Sequence, residues 1–195
     1  DKETWEEECF EHEEHEWYEV SELQTRLEYL RENAEGRNYR LSDCRVSLAE
    51  YSKPELTEEN ISRIGTCVLL IRENENFYYS TLEEARDALL ESFRKHRIPL
   101  PNEIQYVIGG YYVKWNFVKG FSGSEILLWK FIQRTLHEKL AKELGTDLTV
   151  CEDATAMLYV SGFMNSSYVG FDLSEEVITI YRNDELYLSP LDFVR

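Results

Sequence analysis

The sequence predicts an α+β fold, and three observations carry that expectation. Short apolar segments of strand length, such as Thr66–Ile71, are mixed with amphipathic segments of helix length, such as the one opening at Ser80-Thr-Leu-Glu83. Tight turns such as Gly109-Gly110 join neighbouring strands, which departs from the regular strand–helix alternation of an α/β protein. Hydrophobic residues make up 43% of the 195, with 13 Tyr and 4 Trp, enough for a packed core and too many for a disordered chain. The expected architecture is a mixed or antiparallel sheet flanked by helices in residues 37–195, preceded by an acidic helical extension in residues 1–36.

Residues 3 to about 34 read as one helix. Val20, Leu23, Leu27 and Leu30 recur on one face, and Gly36 is placed to stop it. Its first half is strongly acidic, and Glu6, Glu7, Glu11, Glu13 and Glu14 form either a solvated face or a docking surface for a basic groove. His12 and His15 are three apart in HEEH, which is not the zinc-binding HExxH spacing. Residues 38–49 alternate polar and apolar like a strand, and Ser52 to Arg63 reads as a short helix capped at Thr57.

Thr66–Ile71 is the buried central strand. The capping box Ser80-Thr-Leu-Glu83 opens a helix to about His96, with Leu82, Ala85, Leu89 and Phe93 inward. Ile104–Ile108 and Tyr111–Val118 form a hairpin. Ser122 or Ser124 caps a helix that ends at Gly145 and buries Leu128, Phe131, Ile132, Leu136 and Leu140. Short strands follow at Met157–Val160, Tyr168–Phe171, Val177–Tyr181 and Leu186–Leu188, with a turn at Asn183-Asp184.

Charge narrows the function classes. With 21 basic against 38 acidic residues the net charge is -17. Nucleic-acid binders gain affinity through Lys and Arg contacts to phosphate, so direct nucleic-acid binding is expected to be weak or absent. Such a surface can instead mimic DNA toward a basic protein. Cys9, Cys44, Cys67 and Cys151 form no CxxC pair, which suits reduced thiols and a cytoplasmic setting. No apolar run reaches membrane-span length.

From Tyr39 onward the order of segments resembles the archaeo-eukaryotic primase superfamily, in particular replication proteins of plasmids and integrative elements. Asn38 to Ala49 resembles its first strand, and Gly109-Gly-Tyr-Tyr-Val-Lys-Trp115 its glycine turn and strand. Leu128-Trp-Lys130 with Ile132-Gln133 resembles the following helix, and Asp153 to Leu158 through Gly162 and Asn165 the last catalytic segment. Ile180-Tyr-Arg-Asn-Asp-Glu-Leu-Tyr187 with Leu191-Asp-Phe193 resembles the tail. The resemblance implies a primase-polymerase-like core and a two-metal nucleotidyl transfer site. There, alternating aspartates at the end of the central strand hold Mg²⁺ or Mn²⁺.

Those residues are mostly missing. The aspartate positions fall on Leu70 and Arg72, or on Arg72 and Asn74, and both registers put a cation where a metal ligand belongs. Glu73 and Glu75 have the right spacing only after a one-residue slip, which turns them to the other face of the sheet. The family's nucleotide-phosphate segment aligns with Tyr106-Val-Ile-Gly109, which has lost its basic residue. In the last segment Asp153 survives, while Tyr159 and Ser167 replace the two cations.

Two function classes follow. The first is a catalytically degenerate primase-like protein of a mobile genetic element, without metal, that binds a protein partner. The partner would be a replication factor or a host defence protein with a basic nucleic-acid groove. The acidic glutamates, with Tyr111 and Trp115 on the aromatic strand, are the candidate binding residues. The alternative is an active Mg²⁺- or Mn²⁺-dependent primase-polymerase using Glu73, Glu75 and Asp153.

Overall fold

The twelve-residue strand β3, Ile61–Arg72, organises the domain. Its second half, Cys67 to Ile71, is apolar and buried, as a strand covered on both faces must be. The computed structural model describes residues 18, 20–33, 44–74, 78–147, 152–165 and 175–193. In chain order the elements are α1 (Val20–Asn33), β1 (Arg45–Ser47), β2 (Ala49–Tyr51), β3, α2 (Leu82–Lys95), β4 (Glu103–Val107), β5 (Gly110–Ser122), α3 (Ile126–Leu144), β6 (Thr146–Asp147), β7 (Met157–Tyr159), β8 (Met164–Asn165), β9 (Glu175–Glu176) and β10 (Ile178–Arg182).

The main sheet has the order β10-β4-β5-β3-β2, and its neighbours are antiparallel. Val68 faces Lys114, Leu70 faces Tyr112, and Arg72 faces Gly110 across β3 and β5. Gly110 is required at this register, because a Cβ there would overlap the Ile71 carbonyl. The far edge of β3 is shared. β2 pairs with its start at Ile61–Ile64, and β6 with Leu70 and Ile71 near its end. Between them, α3 side chains satisfy the strand. Trp129 Nε1 donates to Thr66 O at 2.9 Å, and Gln133 bonds both backbone groups of Val68.

α2 packs on one face of the sheet through Ala85, Leu89 and Phe93. Phe93 meets Trp115 edge to face, with ring centroids 5.6 Å apart. Thr81 caps α2 by accepting from Glu84 N–H at 3.2 Å. α3 ends where Gly145 turns left-handed, at φ 63°. Buried Asn102 ties the C-terminal segment to β5: its amide donates to Leu186 O, and its oxygen accepts from Asn116 N–H, both at 2.8 Å.

Several sequence expectations need correction. Tyr18 is not helical, and helix is described from Val20 only. The strand expected over 38–49 is split at Leu48, whose N–H turns away to Ala156 O, so β1 pairs with β7 and β2 with β3. The short helix expected at Ser52–Arg63 is a 3₁₀ turn at Glu58–Asn60, because Ile61–Arg63 are drawn into β3. The cap of α2 is Thr81 with Glu84, one residue later than the Ser80 box. α3 buries Ile126, Trp129, Ile132, Gln133, Leu136, Leu140 and Leu144, whereas Leu128 and Phe131 are 43% and 58% exposed. Reaching the edge of β3 with Trp129 and Gln133 rotates that face inward. Leu188 makes a single parallel bridge to Phe117 in place of a strand, and the turn before it is Asp184-Glu185. The strand expected at Tyr168–Phe171 lies outside the described residues.

Candidate functional site

Directly paired residues on neighbouring strands project to the same side. Leu69, Ile71, Tyr111, Val113, Trp115 and Ile104 therefore face α2. The opposite face carries Val68, Leu70 and Arg72 of β3, Tyr112 and Lys114 of β5, Glu103 and Gln105 of β4, and Thr179 and Arg182 of β10. The first face is apolar core, whereas the second sets charged groups beside buried Val68, Leu70 and Tyr112.

Glu103 is the hub of the polar face. Lys114 Nζ donates to Gln105 Oε1 at 2.7 Å and to Glu103 Oε2 at 3.3 Å. Arg182 Nη2 donates to Glu103 Oε1 at 2.6 Å. Thr179 Oγ1 lies 3.2 Å from the same oxygen and 3.0 Å from Ser161 Oγ. The side chains of Glu103 and Lys114 are each 15% exposed. Burial alone would raise the Glu103 pKa, but Lys114 and Arg182 outweigh it and hold the carboxyl below its usual range. Burial pushes the Lys114 ammonium down; Glu103 only partly restores it, and the like charge of Arg182 adds to the lowering. One acid serves two cations, so the cluster carries one net positive charge when all three are ionised.

At the end of β3 a second cationic group follows. Arg72 pairs with Asp147 at 3.3 Å, and its N–H donates to Gly145 O. The β1–β7 ribbon brings Arg45, which donates to Tyr159 OH at 2.8 Å with its guanidinium 4.7 Å from the ring centroid. Burial, with Tyr159 nearby, pushes the Tyr112 hydroxyl up to about 12, against the pull of Arg72 and Arg45.

No family model matches the chain, and no curated protein matches it in sequence. Among solved structures it is similar to the AEP domain of the cyanophage S-2L primase-polymerase. The TM-score is 0.56 and the identity 11%, over 77% of this chain and 67% of that one. The fold is primase-polymerase-like. The architecture expected from the sequence, α+β with an antiparallel sheet flanked by helices, is the one observed.

On this primase-like sheet, Leu70 and Arg72 occupy the polar face, the former buried and the latter paired with Asp147. Glu73 points the other way. Its Oε1 accepts from Tyr111 OH at 3.0 Å on the α2 side, and its N–H continues the ladder to Gly109 O. Asp153 caps a turn before β7, its Oδ1 accepting from Thr155 N–H at 2.8 Å and Thr155 Oγ1 at 2.6 Å. Glu73 and Asp153 thus engage separate partners, Tyr111 and Thr155, and Glu75 lies outside the described residues. Among the described residues no three of His, Cys, Asp and Glu are grouped so as to hold a metal.

Glu6, Glu7, Glu11, Glu13 and Glu14 also lie outside the described residues. Trp115 corrects an expectation: it is 0% exposed, and its Nε1 donates to Pro99 O at 2.8 Å, whereas Tyr111, though 1% exposed, borders an open groove. Trp115 is a core residue and offers no face to a partner. Sequence reading missed the Glu103–Lys114–Arg182 cluster. The available signal was the polar alternation of Glu103, Gln105 and Lys114 in segments otherwise rich in buried residues. No helix among the described residues is long and apolar enough to cross a membrane.

Proposed function

We propose that the chain is a catalytically degenerate primase-like protein that acts by binding a protein partner. One observation carries the reading. The sheet face that would present metal-binding aspartates presents Leu70 and Arg72, and Asp147 on its edge is already engaged by Arg72. A divalent ion needs several free oxygen ligands. Here Glu103 is taken up by Lys114 and Arg182, and Asp153 by Thr155. Cations at these places repel a metal and give no reason to recruit one.

The net charge of -17 supports a basic protein partner. In this reading residues 1–36 are an acidic extension, with Glu6, Glu7, Glu11, Glu13 and Glu14 as contact residues, and residues 37–195 are the scaffold. The protein works in the cytoplasm, as a replication accessory factor or as an acidic inhibitor of a nucleic-acid-binding defence protein of the host. The second reading, an active primase-polymerase, rests on the fold alone.

A primer-synthesis assay with labelled nucleotides, template DNA, and Mg²⁺ or Mn²⁺ separates the two. The proposal expects no primer. Product that disappears in a Glu73→Ala, Glu75→Ala double variant would establish the active enzyme instead. A complex with a basic nuclease or replication factor, followed by size-exclusion chromatography, should dissociate as salt rises.

A further inference from the structure

An open groove of about 490 Å³ lies on the α2 side of the sheet, between the end of β3, the approach to α2, and β9 and β10. Tyr78, Tyr79, Tyr106 and Tyr111 line it together with Glu73 and Glu176, and among the described residues its lining contains no Lys, Arg or His. Tyr106 and Tyr111 meet at 5.6 Å between centroids, tilted by 58°. The Tyr111 hydroxyl fixes Glu73 against this aromatic wall through their 3.0 Å hydrogen bond. Tyr78 is 73% exposed, so a large ring stands in solvent beside carboxylates. Neither glutamate forms an ion pair among the described residues.

The chemistry selects the occupant. Aromatic ring faces are electron-rich, and carboxylates beside them add to the negative potential. Burial and the neighbouring Glu73 charge push the Tyr111 hydroxyl well above its usual range, so the phenol stays protonated and the site's charge comes from the glutamates. A small hydrated metal ion wants a shell of oxygen ligands, and a groove walled largely by tyrosine rings does not supply one. A cation with an organic stem satisfies both features: its stem packs on the rings and its head reaches the carboxylates. The volume lies within the range of small-ligand sites, roughly 300–1,000 Å³, and leaves room for residues flanking one side chain.

We propose that this groove receives a lysine or arginine side chain of a basic protein partner. The inference rests on the reading that the chain acts by binding such a protein, and it names a place where one cation is held. A protein source is favoured over a free polyamine because the whole chain is acidic, at -17, and a basic surface can engage groove and surroundings together.

The test uses the full chain and blocked tripeptides: Gly-Lys-Gly, Gly-Arg-Gly and the neutral isostere Gly-norleucine-Gly, with spermidine as a further arm. Tyrosine ring signals in NMR spectra report binding. Tyr78→Ala and Glu176→Gln alter exposed side chains, and an unchanged melting temperature confirms that each variant folds. The expected result is saturable shifts with the lysine and arginine peptides, none with the norleucine peptide, and roughly tenfold weaker binding in each variant.

No saturable shift, an equal response to norleucine, or wild-type affinity in both variants overturns the proposal. Spermidine binding far tighter than the peptides overturns the protein source. The wider reading fails separately. Primer synthesis sinks it whatever the tyrosines do, whereas salt-sensitive capture of a basic partner that persists in the Tyr78→Ala chain leaves it standing and removes the groove.

Discussion

Gln133 of α3 takes the place of a strand beside Val68. Its Oε1 accepts from Val68 N–H at 3.0 Å, its Nε2 donates to Val68 O at 2.9 Å, and the side chain is fully buried. β2 and β6 leave this stretch of β3 unpaired, so the helix completes the ladder with a side-chain amide.

Gln133→Leu should therefore strand one donor and one acceptor in the core. Each unsatisfied group costs on the order of 1–3 kcal/mol, so a loss of about 3 kcal/mol is expected. Urea unfolding measures it, with the midpoint falling and the slope unchanged. A loss below about 0.5 kcal/mol, the size of an ordinary surface change, would show that the pairing is not needed.

Glu103 and Lys114 make a second case. Glu103→Gln removes the carboxylate from two cations, while Lys114→Met leaves Glu103 still bonded by Arg182 and Thr179. The first change should cost more, about 2 kcal/mol after allowing for partial exposure, and the second about half of that. The double variant should cost less than the sum, since removing both ends leaves no buried charge unpaired. Strict additivity in urea melts would contradict the network.

Acid stability has a local source at the α2–α3 junction. Lys95, and then His96, hydrogen-bond Glu143 and hold its carboxyl at about 2, against an ordinary 4.5. A carboxyl depressed on folding stabilises the fold above its unfolded pKa, and that contribution is lost as pH falls through the folded value. The stability gap between wild type and Glu143→Gln should be full above about pH 4.5 and shrink toward pH 2. A gap that does not change with pH would remove the carboxylate from the explanation.

What could be read in advance follows from range. Thr66–Ile71, the Gly109 hairpin and α2 were legible because each is specified by its own residues: a continuous apolar run, a glycine turn, and an amphipathic run with Ala85, Leu89 and Phe93 on one face. The exposed side of α3 was not. Leu128 and Phe131 look like core residues until Trp129 and Gln133 are seen to bond β3, more than sixty positions away. The break at Leu48 likewise depends on Ala156.

The site was only half legible. The position of Arg72 at the end of the central strand was visible in the sequence. The engagement of that cation by Asp147, and the joining of Glu103 to Lys114 and Arg182, required strands from three parts of the chain.

The most direct test is a Mn²⁺ titration of the full chain, with and without a nucleoside triphosphate, followed by paramagnetic broadening of backbone amide signals. The account predicts no saturable broadening centred on Val68–Arg72 of β3 or on Gly110–Lys114 of β5. Saturable broadening there, strengthened by the nucleotide, would mean that the polar face binds the metal and nucleotide of a working primase.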